Sequence, residues 1–286
     1  MELPWAALMD HPFPAAAGRL RQRIARRYVV KETAFTFGGV VLPFTRVADP
    51  DRVLDEVAEE EDRLERVSGV RAPADQLHLP YWAELWDSAI GMGAWLVKRW
   101  GVGSGGWGVE ESRGWEVGGS GSEKGSVTPS PSLPTPHSLP PTSRASVLDL
   151  GCGMGLVGTV AAALGARVLF ADLESPALLF ARLNALPWRD RVRTRRLNWQ
   201  TDHLDERFDL ILGADILYER KQWDFLEPFW RAHLAPGGAI LLGEPGRQTG
   251  DLFIEWISSR GWTLTRHEQR VDTREKPIRL FELRLT

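Results

Sequence analysis

The stretch V-L-D-L-G-C-G-M-G-L-V-G-T-V-A-A-A-L-G-A-R-V-L-F-A-D-L-E, residues 147–174, decides how this chain is read. Its apolar run 147–150 has the length and composition of a buried strand. Gly151, Gly153 and Gly155 mark a turn, and 156–164 continues as an apolar helix. A second apolar run, 168–171, ends on the acid Asp172. Strand, glycine turn, helix, strand and terminal carboxylate form one βαβ element suited to a nucleotide-like ligand. Glycines let the backbone turn sharply and let a ligand approach it closely. The helix start offers unpaired N–H groups and partial positive charge. Asp172 is placed to accept two hydrogen bonds from a ribose diol.

The alternation continues downstream. Ser175-Pro176 is expected to cap a helix to about 186, followed by a strand over 192–197 and another over 208–213. A helix over 219–234, a Pro236-Gly237-Gly238 turn, a strand over 239–243 and a helix over 249–260 follow. Segments 262–268 and 278–285 read as a closing antiparallel pair. Apolar strands alternating with helices predict an α/β fold: a Rossmann-like, seven-stranded, mostly parallel sheet with helices on both faces and a C-terminal antiparallel hairpin.

Upstream, residues 1–78 read as a small α+β extension. Residues 1–15 look irregular, with Pro4, Pro12 and Pro14. Residues 15–28 form a helix with a Leu20, Ile24, Tyr28 stripe and Arg19, Arg21, Arg23, Arg26 and Arg27 around it. A solvated face packed by that stripe is favoured over an arm for an acidic partner or nucleic acid. A hairpin over 28–45 turns at Gly38-Gly39. Asp49-Pro50 starts a charged helix that Ser68-Gly69 ends. In P-Y-W-A-E-L-W, 80–86, Trp82 and Trp86 precede an apolar helix that Asp87 or Ser88 is expected to cap. Residues 101–145 are so rich in Gly, Ser and Pro that they read as a disordered insertion. The main domain is therefore expected over 79–100 and 146–286.

The bulk properties narrow the classes. The chain has 286 residues, a formal net charge of -3 and 43% hydrophobic content, enough for a core and without the basic excess of a nucleic-acid binder. One cysteine, Cys152, rules out an internal disulfide and fits a reducing, cytoplasmic setting. It reads as a small buried residue between glycines rather than a nucleophile. The six histidines show no metal-ligand spacing, so no metal is expected. No apolar run reaches membrane-spanning length, and the N-terminus lacks a basic region ahead of an apolar stretch, so neither a membrane helix nor a signal peptide is expected.

The ligand is not settled by the glycines alone, since Gly153-x-Gly155-x-x-Gly158 also fits a dinucleotide fingerprint. Asp149, in the loop mouth, repels a pyrophosphate but suits the ammonium of an amino-acid moiety. Trp199, after the third strand, can wall an adenine pocket. These features favour S-adenosylmethionine over NAD.

At this point V-L-D-L-G-C-G-M-G-L-V-G and F-D-L-I-L-G-A-D-I-L-Y resemble the class I, seven-β-strand methyltransferases, and within them the D-x-x-Y protein-lysine methyltransferase-like family (methyltransferase family 16). The motif here is Asp215-Ile216-Leu217-Tyr218. P-Y-W-A-E-L-W resembles the helix entry of the same group. G-E-P-G-R, 243–247, resembles the turn after strand five in its electron-transfer-flavoprotein lysine methyltransferase branch. The resemblance covers about 79–100 and 146–286. It implies S-adenosylmethionine as cofactor, with Trp86, Gly151, Cys152, Gly153, Asp172, Trp199 and Ala214 in contact with it. Some members of that family methylate protein lysines and relatives act on other amines, so the acceptor does not carry over; an amine such as a protein lysine is the expected acceptor, and a monomer is expected.

The expected reaction is an in-line displacement at the sulfonium methyl, so the protein positions two groups and manages one proton. Asp215, at the carboxyl end of the fourth strand, is expected to align an incoming ammonium, and Tyr218 to line the slot. The plainer reading has Asp215 capping the next helix and Tyr218 packing. Arg247 is read either as holding an acidic part of the substrate or as pairing a nearby carboxylate. A nucleic-acid base methyltransferase is disfavoured, because D-I-L-Y lacks the paired prolines of N-P-P-Y or D-P-P-Y and there is no basic excess. A small-molecule acceptor and a non-catalytic cofactor-binding scaffold stay open as alternatives.

Overall fold

The computed structural model describes residues 14–69, 79–100 and 145–286. The irregular start and the insertion expected over 101–145 lie outside the described residues, apart from Pro14, Ala15 and the buried Ala145.

The chain opens with α1 (Pro14–Ala25), the strands β1 (Val30–Phe37) and β2 (Val40–Val47), and α2 (Pro50–Ser68). β1 and β2 pair antiparallel around the glycine turn. α2 begins as the sequence indicates: the Asp49 carboxylate accepts the Arg52 N–H at 3.2 Å, and Gly69 closes the helix at φ 67°. α1 is shorter than expected, ending at Ala25. Its stripe still packs inward, with Ile24 buried, Leu20 half-buried and the Tyr28 ring edge-on to Trp82 at 5.3 Å.

A turn of 3-10 helix, Tyr81–Ala83, leads into α3 (Asp87–Trp100). β3 (Ser146–Leu150), α4 (Leu156–Ala163), β4 (Arg167–Asp172), α5 (Ser175–Asn184) and β5 (Val192–Arg196) follow. β6 (Phe208–Ala214), α6 (Arg220–His233), β7 (Leu234–Glu244), α7 (Gln248–Ser258), β8 (Trp262–Gln269) and β9 (Ile278–Leu285) complete the chain. The seven-stranded sheet has the order β5-β4-β3-β6-β7-β9-β8. Strands β3 to β7 run parallel, whereas β9 is antiparallel to both β7 and β8. This is the Rossmann-like sheet with a closing hairpin that the sequence predicts.

Side-chain alternation along the strands divides the interior in two. Val147 and Phe170 face a core shared with α3, α4, α5 and the β1–β2 hairpin. Leu148, Leu150 and Ile211 face one filled by Trp223 and Trp230 of α6 and Phe253 of α7.

Three local expectations are corrected. Asp87 lies inside α3, and its carboxylate accepts the Thr273 hydroxyl at 2.6 Å instead of capping the helix. The Ser88 hydroxyl is buried without a hydrogen-bond partner among the described residues. α5 has Glu174 at its N-cap and no side-chain cap, so Ser175-Pro176 start the helix without capping it. β7 begins at Leu234, ahead of Pro236-Gly237-Gly238, because a register shift between Phe208 and Leu210 absorbs the extra residues as a bulge.

Candidate active site

The sheet places its ligand crevice between β3 and β6. From β3 the chain winds outward through β4 to β5, then returns to lay β6 on the other side of β3. Open α/β sheets bind ligands at the carboxyl ends of strands at such a reversal. Three segments meet on this rim: the turn after β3, Asp172 at the end of β4, and Asp215 after β6. Gly151 joins the two sides, since a Cβ on it would lie 2.9 Å from Ile216 and 3.5 Å from Trp199.

The turn needs its glycines. Gly151, Gly153 and Gly155 sit at φ 63°, 51° and 83°, where L side chains are strained. Asp172 ties this turn to β4. Its Oδ2 accepts the Gly153 N–H at 2.8 Å and its Oδ1 accepts the Glu174 N–H at 2.9 Å. Burial pushes its carboxyl up to about 6, against the pull of those backbone bonds. Each oxygen keeps acceptor capacity, so the carboxylate can take a vicinal diol.

Asp149 is placed differently from the expectation. It alternates with Leu148 and Leu150, so its side chain points under the turn towards α4, and it is 1% exposed. Its Oδ2 accepts the Gly158 N–H at 2.9 Å, and burial pushes the carboxyl up to about 7. A Cβ on Gly158 would lie 2.4 Å from the Phe170 ring and 2.7 Å from that oxygen, so only glycine fits. Asp149 therefore anchors the helix behind the turn through Oδ2. Cys152 fits the inert reading: burial and the neighbouring Asp172 and Asp149 raise its thiol well above the ordinary range.

Across the crevice, Asp215 is the one non-glycine residue with positive φ among the described residues, at 58°. Aspartate tolerates this conformation better than most residues, at a cost of about 1–3 kcal/mol. The Asp215 N–H donates to Gly243 O at 2.8 Å, which fixes the turn. Its 7% exposed carboxylate forms an ion pair and hydrogen bond with the Arg247 guanidinium. Burial raises the Asp215 carboxyl above its ordinary value, and Arg247 opposes that rise. The plainer reading of Asp215 as a helix cap is not met, because Glu219 occupies the N-cap of α6. Arg247 pairs within the chain, which selects the second of its two readings.

Glu244, 2% exposed, holds Arg247 in place. Its carboxylate accepts the Gly246 and Arg247 N–H groups at 3.0 and 2.9 Å and pairs with Arg279. The Arg247 guanidinium carbon lies 5.6 Å from the centre of the Trp86 ring. Trp86 donates its indole N–H to Tyr81 O at 3.1 Å. Tyr81 in turn meets Tyr218 edge-on, with ring centres 5.7 Å apart. Both tyrosines are exposed, at 40% and 43%. Partial burial and nearby carboxylates raise the Tyr218 phenol, so it stays a neutral donor at pH 7. Trp86, Tyr81 and Tyr218 thus form an aromatic wall beside a buried carboxylate, a setting suited to an organic cation.

On the far side of the turn the Trp199 indole N–H donates to Gln222 Oε1 at 3.0 Å, which orients the ring beside Gly151. Ala214 is half-buried at the end of β6. The sequence reading missed Tyr81, Ile216 and Gln222. Tyr81 carried a signal, being one of only three tyrosines and lying inside the quoted 80–86 stretch. Among the described residues no group of three or more His, Cys, Asp or Glu could hold a metal ion, and no helix is long and apolar enough to cross a membrane.

Comparison with known proteins adds to this geometry. The model of a family described as lysine methyltransferase matches residues 82–259, more than half of the chain. The protein N-lysine methyltransferase METTL21A of Xenopus tropicalis is 41% identical over 110 residues, covering 35% of this chain and 48% of its own. EEF1A lysine methyltransferase 3 of Mus musculus is 35% identical over 106 residues, covering 35% of this chain and 45% of its own. A ubiquinone biosynthesis O-methyltransferase of Chelativorans sp. (strain BNC1) is 30% identical over 126 residues, covering 43% of this chain and 49% of its own. The chain thus spans about half the length of the curated relatives it matches. All three names specify methyl transfer, and they differ in the acceptor.

Proposed function

Because the chain belongs to the lysine methyltransferase family, we propose that it is an S-adenosylmethionine-dependent N-methyltransferase acting on a lysine side chain of a protein. The observation that carries the reading is the pairing, across one crevice, of a diol-accepting carboxylate at a glycine turn with a buried carboxylate beside an aromatic wall. The glycine turn fits the cofactor, since positive φ at Gly151 and Gly153 opens a cradle that side chains would fill. Asp172 would take the ribose hydroxyls, with Gly151, Cys152, Gly153 and Ala214 against the cofactor and Trp86 and Trp199 as walls. When bound, S-adenosylmethionine supplies an electrophilic methyl and a neutral leaving group.

The residues of the chain handle the amine. A free lysine, with pKa about 10.4, is neutral in roughly one molecule in a few thousand at pH 7. Asp215 would receive the ammonium through a charge-assisted hydrogen bond as Arg247 releases it. The rings of Trp86, Tyr81 and Tyr218 would exclude water from the site, and the Asp215 carboxylate, raised by burial, would take the ammonium proton before the neutral nitrogen attacks. Aromatic faces and a carboxylate suit a lysine better than a neutral hydroxyl, which favours N- over O-methylation. We place this activity in residues 79–100 and 146–286, and the enzyme in the cytoplasm as a monomer.

The test is titration with S-adenosylmethionine followed by tritiated-methyl labelling of a lysate. Saturable binding and label recovered as methyl-lysine after acid hydrolysis are expected. Label that disappears on nuclease treatment would overturn the proposed acceptor. Absence of cofactor binding would overturn the enzyme reading.

A further inference from the structure

We propose that a groove of about 560 Å³ between α1 and the β5 edge of the sheet docks an acidic segment of a partner protein, one in which carboxylates flank an apolar residue. Arg19 and Arg23 of α1 line one wall, Arg182 of α5 and Arg193 of β5 line the other, and Leu20 and Val192 supply apolar surface between them. Among the described residues no acidic side chain lines the groove. Arg193 is engaged by Glu206 at 2.7 and 3.0 Å. Arg19, Arg23 and Arg182 form no ion pair among the described residues.

Packing accounts for α1 only in part. Ile24 and Leu20 seat the helix, and nothing in that seating requires arginines at 19 and 23. Converging like charges repel, and this occurs in a chain with formal net charge -3. An arrangement that works against folding stability marks a site with another use. Guanidinium groups match carboxylates with two parallel hydrogen bonds, which gives the occupant its charge. The apolar floor gives it a hydrophobic residue. Among the described residues no aromatic ring lines the groove to stack a base, which favours peptide over RNA.

The groove is separate from the crevice. Arg196 is in register with Asp172 at the rim, whereas Val192 lies at the other end of β5, about 13 Å away along the strand. The proposal therefore stands whether or not the chain transfers methyl groups.

Fluorescence anisotropy with a fluorescein-labelled peptide of alternating glutamate and leucine tests it on the full chain. Saturable binding that weakens with salt is expected. An Arg19→Glu/Arg23→Glu double variant should weaken it about tenfold or more. An Arg26→Glu/Arg27→Glu variant makes the same change of charge on neighbouring residues outside the groove and should leave affinity within about twofold. All four residues are exposed, and thermal melts of both variants check that the fold is kept. Absence of peptide binding overturns the proposal, as does equal weakening by the two variants. Tighter binding of an oligouridylate of equal length, lost in the Arg19/Arg23 variant, overturns it in favour of RNA.

Discussion

The Arg247 guanidinium closes on the buried Asp215 carboxylate while lying over the Trp86 ring. An unpaired charge at 7% exposure would be costly, and Arg247 neutralises Asp215; in the proposed function a substrate ammonium would take the place of Arg247. On that proposal the pair would couple charge balance to substrate entry.

Replacing Asp215 with Asn keeps the shape and removes the charge. S-adenosylmethionine binding should be unchanged and kcat/KM for methyl transfer should fall about a hundredfold or more, as for loss of a buried charged partner. Replacing Arg247 with Gln acts through pH. Burial holds the Asp215 carboxyl high and Arg247 pulls it down, so without Arg247 it rises further. If transfer needs ionised Asp215, the acid limb of the kcat/KM profile moves to higher pH in Arg247→Gln. An acid limb that stays in place removes Asp215 ionisation from the mechanism.

Asp172 holds the glycine turn and, in the proposed function, the ribose. Asp172→Ala removes charge-assisted bonds and should weaken S-adenosylmethionine binding by about 2 kcal/mol, roughly thirtyfold, by titration calorimetry. Its carboxyl sits at about 6, and diol binding favours the ionised form. Binding to the native protein near pH 6 should therefore release protons, seen as a dependence of the measured heat on buffer ionisation enthalpy. Asp172→Asn should lose that dependence. Equal proton release in the variant assigns the proton to another group.

Most of the sheet was legible because β4, β6 and β7 each carry an apolar run of three or more residues, β3 carries one broken only by Asp149, and the connecting helices are bounded by glycine or proline. β5, V-R-T-R-R, is an edge strand and was placed by its position in the alternation. The start of β7 was not legible, because a bulge facing Phe208 lets Pro236-Gly237-Gly238 sit within the strand. In the site, the strand pattern put the glycine turn, Asp172 and Asp215 at the carboxyl ends of their strands, and the resemblance to the D-x-x-Y family singled out Asp215. Neither located the partner of Asp215, because Arg247 is 32 residues away and reaches it only through the β6–β7 pairing. The direction of Asp149 was open to the period-two rule, since Leu148 and Leu150 share the opposite face. Reading its charge as part of the loop mouth obscured that geometry.

Asp149 has a measurable effect on stability. Its carboxyl sits near 7 in the folded protein and near 3.8 when unperturbed, so the native state holds an extra proton between those values. The contribution is therefore favourable at low pH and is lost as pH rises from about 4 to about 7. Above that window the buried charge costs at most about 4 kcal/mol. Asn at 149 can still accept from the Gly158 N–H. Asp149→Asn should lose less stability than the native protein between pH 4 and 8, and should be the more stable of the two at pH 8. Parallel curves in urea denaturation across that range would show that burial of Asp149 carries no such cost.

Asn184 joins the N-terminal hairpin to the cradle. Its Oδ1 accepts the Thr45 N–H at 2.8 Å, and its Nδ2 donates to Thr45 O at 3.0 Å and Met154 O at 2.9 Å. Asn184 and Thr45 are 6% and 4% exposed, so water does not replace these bonds without opening the structure. Met154 stands between Gly153 and Gly155, so one side chain fixes both β2 and the ligand turn. Asn184→Ala leaves three buried backbone groups without their partner and should cost about 2–4 kcal/mol in urea denaturation. The loss should be uneven. Hydrogen exchange should speed up at the Thr45 amide and in the glycine turn, while the amides of β6 keep their protection. S-adenosylmethionine affinity should fall with the turn's order, although Asn184 makes no proposed contact with the ligand. Destabilisation spread evenly over the sheet, with unchanged affinity, would show that the hairpin supports the core alone and does not set the shape of the cradle.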